Sequence, residues 1–170
     1  MSETMTIPRR RASFAFALGA IGAATPLFAQ GAKPSPEVEA LKALLDAHDK
    51  AFSAQDAKGV LALFAPNATI LGTGPGEIWG GHDEIATAYQ HFFEDFDPGQ
   101  QKIEPLWRDG HVIGDMAWLM AVTKVAMTKG GKTIEVGINL SVTFEKAAGK
   151  WLIRAMHFSN LTGGAPPEKK

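Results

Sequence analysis

Leu71–Ile85 reads LGTGPGEIWGGHDEI, with five glycines and one proline in fifteen residues. What flanks the stretch decides what it is. Before it, NATILGT (67–73) has the β-branched and apolar content of a short strand. After it, Asp83 and Glu84 suit the first turn of a helix, where carboxylates meet the positive end of the dipole. That helix has an apolar stripe of Ile85, Ala88, Tyr89, Phe92, Phe93 and Phe96, and DPGQ ends it. A phosphate loop would need Gly-x-x-x-x-Gly-Lys-Ser/Thr, and a dinucleotide loop GxGxxG. Glu77 stands where the third glycine should be, no lysine follows, and a carboxylate would repel phosphate. The stretch therefore reads as a conformationally special crossover from strand to helix. A second reading lets Glu77 and Trp79 line the mouth of a pocket.

Upstream, Val38, Leu41, Leu44, Leu45, His48 and Phe52 recur at helical spacing between Pro36 and Gln55. Ser35 is placed to cap that helix, and Pro36 suits its first turn. Asp56 caps a second short helix, AKGVLALF (57–64), closed by Pro66. Downstream the pattern turns to strands, at roughly 101–109, 113–128, 132–146 and 150–160. RDGH, KGGK and AAGK supply glycine for the hairpins between them. In the third of these strands Ile134, Val136, Ile138, Leu140, Val142 and Phe144 share one face. Glu135, Asn139, Ser141, Thr143 and Glu145 share the other. Helices followed by an antiparallel meander give an α+β fold, three helices packed on one face of a curved, mostly antiparallel sheet. Such a cone is wider than its helices can fill, which favours an apolar pocket.

The 170 residues suit one domain. A formal net charge of -1 offers no basic excess for nucleic acid. With no cysteine there is no disulfide, thiol nucleophile or thiolate metal site. The five histidines (48, 82, 91, 111 and 157) form no short ligand pair, so neither a metal nor another cofactor is expected. Residues 1–29 have a basic start at Arg9–Arg11, an apolar run and a small-residue end, the layout of a cleaved signal peptide. The run from Ala12 to Ala24 is too short to span a bilayer core of about 30 Å. The paired arginines also resemble a twin-arginine signal, with Phe14 one place later than that pattern prefers. Cleavage after Ala29 would leave a mature chain of net charge -3, periplasmic or secreted, with no integral membrane segment. Residues 30–36 read as a linker and 162–170 as a flexible tail.

The order of elements, the piece GVLALFAPNATILGTGPGEIWGGHDEI and the ending GKWLIRAMHFSN resemble the NTF2-like superfamily. They resemble in particular its SnoaL-like branch, related to the association domain of calmodulin-dependent kinase II and to ketosteroid isomerase-like proteins. The resemblance spans about 37–161. Many members carry Arg-x-Thr in the penultimate strand, where this chain has Asn139-Leu140-Ser141, so an anionic ligand held by a guanidinium is not carried over. The superfamily implies a cone fold but no single function, since it holds isomerases, cyclases, dehydratases and proteins that only bind or dimerise.

Phase on each element picks the candidate residues. His157 alternates with Trp151, Ile153, Ala155 and Ser159, which places it inside the cone, either as a satisfied buried histidine or as an acid/base group. His48 on the first helix is either a satisfied core histidine or a second such group. Tyr89 is packing with a hydroxyl that needs a partner. Trp118 walls the pocket or lies on the outer sheet face. The expected ligand pocket comprises Trp79, Tyr89, Trp118, Asn139, His157 and Ser159, with His157, His48 and Tyr89 as catalytic candidates. A steroid-isomerase mechanism would want a carboxylate base, and none is in phase with the pocket. The leading expectation is a binder of a small apolar or amphipathic molecule. The alternatives are an isomerase, dehydratase or cyclase using a pocket histidine, and a structural dimerisation module. A homodimer is expected through Leu152, Met156 and Phe158 on the outer sheet face.

Overall fold

The structure, a computed structural model, describes residues 25–26, 34–99 and 101–160. Most of the expected signal peptide, most of the linker and the expected tail lie outside these residues.

Helix α1 spans Pro36–Ser53. Ser35 caps it by accepting a hydrogen bond from the Val38 amide at 3.3 Å, and Glu37 and Glu39 occupy its first turn. It buries Val38, Leu41, Leu44 and His48. The helix stops short of Gln55, whose φ of 55° is left-handed. Gln55 donates to the carbonyls of Phe93 (3.1 Å) and Phe96 (2.6 Å) instead. Helix α2 is only Ala57–Leu61, capped by Asp56. Sequence pattern extends it to Phe64, but the chain turns extended there. Strand β2, Phe64–Leu71, runs parallel to the last strand, β7 (Lys150–Asn160), and the Ile153 amide donates to the Leu63 carbonyl at 2.8 Å. A sheet ladder outweighs five apolar residues of helix propensity.

The glycine-rich stretch closes a hairpin between β2 and a short strand β3, Ile78–Gly80. The Gly72 amide donates to the Glu77 carbonyl and the Gly74 amide to the Glu77 carboxylate, both at 2.8 Å. Glu77 thus satisfies the loop from within, and the crossover reading of the stretch holds. Helix α3, Gly81–Asp95, follows at once, and Glu84 accepts from the Gly80 amide at 2.7 Å.

Strands β4 (Lys102–Ile113), β5 (Met116–Lys129), β6 (Lys132–Ala147) and β7 form the meander. RDGH is not a turn: Gly110 is buried inside β4, and the chain reverses at Gly114, φ 59°. The other two turns stand where expected, on Gly130–Gly131 and Ala148–Gly149, all with positive φ. A two-residue strand β1, Thr25–Pro26, pairs with Val112 and His111 of β4, inside the segment read as a signal peptide. The seven-stranded sheet has the order β1-β4-β5-β6-β7-β2-β3, antiparallel except at β2–β7. It is curved, and the helices cover one face.

Which face each residue takes follows from register. Val142 lies between its cross-strand partners Leu119 and Met156, and Phe144 between Ala117 and Ile153, and all six are buried. They define the inner face. On β7 the register passes from Ile153 opposite Phe144 to Ala155 opposite Thr143, so Arg154 is an extra residue, a β-bulge. The bulge reverses the alternation assumed from sequence. Met156, 4% exposed, points into the core, and Phe158 packs against it. His157 and Ser159 turn outward. The expected interface of Leu152, Met156 and Phe158 therefore does not form on the outer face.

Candidate functional site

The buried polar centre of the molecule joins α1 to α3. His48, 8% exposed, holds Tyr89 through Nε2 and Oη at 2.9 Å. Its Nδ1 lies 3.3 Å from Oδ1 of Asp49, whose side chain is 52% exposed. Phe52 stacks on the imidazole, with centroids 6.0 Å apart, and Phe64 meets its edge. Phe93 and Phe52 flank the phenol. Burial raises the Tyr89 phenol well above the usual tyrosine range, and the negative charge of Asp49 raises it further.

The pair has a defined polarity. A carboxylate only accepts hydrogen bonds, so Nδ1 carries the proton that faces Asp49. In the neutral ring Nε2 is then an acceptor, and Tyr89 donates its O–H to it. The reading of His48 as a satisfied core histidine and the reading of it as a functional group are both compatible with this geometry.

His157 does not join the pair. It is exposed on the outer face, opposite Ser141 of β6 and Leu71 of β2. Trp118, Asn139 and Ser159 share that outer face. Trp118 lies against His111, ring centroids 5.4 Å apart, and Asn139 donates to the Ser159 hydroxyl at 3.4 Å. Trp79 is half-buried on β3, packed against the core beneath the glycine loop. Of the six residues read as pocket, four thus sit on the wrong side of the sheet, because the β7 bulge and the inner phase of the even-numbered β6 residues place them there.

The inner wall is mostly apolar, with Thr123 of β5 buried in it and Arg108 of β4 at an inner-face position opposite Ala121. Toward the free ends of β4, β5 and β6 the helices cover it incompletely. Val125, Val136, Ile138 and Leu140 are half-buried, and Ile103 and Ile134 are exposed at the rim. Phe52, Phe92 and Phe158 are also only half-buried. Sequence alternation on β6 marked this wall but not its partial exposure. Among the described residues, the strands place no Asp or Glu on the inner face. Neither do the described residues hold a group of three His, Cys, Asp or Glu able to ligate a metal. No described helix is long and apolar enough to cross a membrane.

The SnoaL-like domain family matches residues 41–163, and the chain belongs to that family. Three solved structures share its fold. One is a putative calcium/calmodulin dependent protein kinase II association domain from Xanthomonas campestris, 24% identical, covering 76% of this chain and 91% of that one at a TM-score of 0.67. A putative dehydratase of the NTF2-like family from Streptomyces avermitilis is 15% identical, with coverage of 75% and 97% and a TM-score of 0.66. A ketosteroid isomerase-like protein from Erwinia carotovora atroseptica is 22% identical, with coverage of 75% and 98% and a TM-score of 0.63. At these identities the likeness is one of fold. No curated protein matches the chain.

Proposed function

We propose that this SnoaL-like protein binds a small apolar or amphipathic molecule against the inner wall of its sheet. The His48–Tyr89 pair forms the polar end of the site. One observation carries the reading: half-buried aliphatic side chains, Val125, Val136, Ile138 and Leu140, continue outward from a core that holds the buried His48–Tyr89 hydrogen bond. An apolar surface with a few oriented polar groups is the usual make-up of a small-molecule site. Native mass spectrometry of protein purified from its own host tests this. A co-purified small molecule supports binding, and its loss from a Leu140→Glu protein that still folds places it on the inner wall. Repeated absence of any bound molecule contradicts the reading.

An enzyme of isomerase, dehydratase or cyclase type is the second reading. Asp49, His48 and Tyr89 form a carboxylate–imidazole–phenol chain, the layout of an oriented base. The absence of an inner-face carboxylate on the described strands counts against a steroid-isomerase mechanism. Turnover that disappears in His48→Gln with binding retained would favour the enzyme.

A homodimer through the outer face belongs to the same proposal, on residues other than those read from sequence. Ile113, Met116, Trp118, Met120 and Val122 form an apolar stripe with Trp107 beside it, Met120 being 49% and Trp107 53% exposed. A stripe of this kind marks a protein contact. Export is proposed from the Arg9–Arg11 start, the apolar run and Leu27-Phe28-Ala29. Cleavage there would also take β1 off the edge of β4. Fractionation with N-terminal sequencing should find Gln30 first, outside the cytoplasm; a full-length cytoplasmic product contradicts it.

A further inference from the structure

The His48–Tyr89 hydrogen bond sets what the site can recognise. Among the described residues His48 is the one hydrogen-bond partner of the Tyr89 oxygen. A phenol has one O–H to donate and two lone pairs to accept with. The Asp49 carboxylate accepts from the Nδ1–H of His48, so the neutral ring accepts at Nε2 and engages the one O–H that Tyr89 has. What remains on the oxygen is acceptor capacity. The phenol keeps its proton throughout the ordinary pH range, because burial and Asp49 both oppose its ionisation.

We infer that the ligand carries a hydrogen-bond donor, a hydroxyl or N–H on an otherwise apolar body, which the Tyr89 oxygen accepts. This inference rests on the binding function proposed above. A ketone or ether of the same shape would bring a second acceptor to an acceptor, leaving two buried oxygens without a proton between them. Protonation of His48 inverts the site. The imidazolium donates from both nitrogens, to Asp49 and to Tyr89, and the phenol O–H is released to donate to the ligand. Among the described residues, the groups that meet the imidazole are Asp49 and Phe52 from α1, Tyr89 from α3 and Phe64 from β2, so among them Asp49 is the one charge in contact with it.

The test uses the full chain and a matched pair of probes, 2-naphthol and 2-methoxynaphthalene, with dissociation constants read by calorimetry. His48 protonation is followed in parallel by imidazole NMR. With His48 neutral, 2-naphthol should bind about five- to tenfold more tightly, the worth of one hydrogen bond. In Tyr89→Phe, which removes only the oxygen, the two probes should bind alike. With His48 protonated the preference should shrink or reverse. Equal binding of both probes to the native protein at every pH overturns the inference and leaves the binding function standing. A preference that survives in folded Tyr89→Phe also overturns it. If neither probe binds, the binding function and the inference fall together.

Discussion

Tyr89 resists ionisation because its oxygen would become a charge in an apolar interior, and Asp49 adds a repulsion. The linkage has a definite sign. The folded phenol holds its proton above the ordinary tyrosine value of about 10, at which an unfolded chain loses it. Its contribution to stability is therefore complete below about pH 10 and is drawn down as pH rises above that value. Denaturant titrations at increasing alkaline pH should show a loss that Tyr89→Phe lacks. The same slope in both proteins contradicts the burial of this hydroxyl. On β7, neighbouring residues should respond in opposite ways. Met156→Asp puts a charge in the core and should cost about 3–5 kcal/mol. His157→Ala touches an exposed ring and should change stability by no more than about 0.5 kcal/mol. Thermal unfolding separates them, and a large loss from His157→Ala would return that ring to the interior.

Within the β2–β3 hairpin one carboxylate organises the loop. Glu77→Ala leaves the Gly74 amide without its partner and should cost about 1–2 kcal/mol. A Cβ on Gly72 would lie 2.2 Å from the Glu77 carboxylate and 2.7 Å from its Cβ, so Gly72→Ala should cost more than Glu77→Ala. Equal Tm values for the two variants would show that the loop does not close on Glu77. The element pattern of this protein was largely legible. Ser35, Asp56 and the Gly130–Gly131 turn announce their caps and hairpin by residue type, and β6 announces its faces by alternation. The misreadings have one physical source, local pattern overruled by pairing at a distance. Phe64 left a helix to pair with β7, Asp109–Gly110 stayed in a strand because β5 extends opposite them, and Arg154 bulged. A bulge shifts every later side chain by one face, so the candidate site suffered most. His48 and Tyr89 were found because helical phase has no such failure. His157 and Ser159 were misplaced because they follow the bulge. The partly exposed inner wall had no signal of its own, since its cover depends on how far α1 and α3 reach.

At the scale of the molecule the sheet has two faces that each expose apolar side chains. The outer one carries the Trp107, Met116, Trp118 and Met120 stripe. A standard interface there would cover roughly 800 Å² per partner. Met120→Asp should give a folded monomer where the native chain is a dimer by light scattering. A native monomer contradicts that assignment without touching the inner face. The inner face bears the central claim, and methyl NMR of the native protein titrated with 2-naphthol reads both faces at once. The account predicts shifts at Val125, Val136, Ile138 and Leu140, with Met116, Met120 and Val122 unmoved. Shifts confined to the outer methyls, or none at saturating probe, would contradict it.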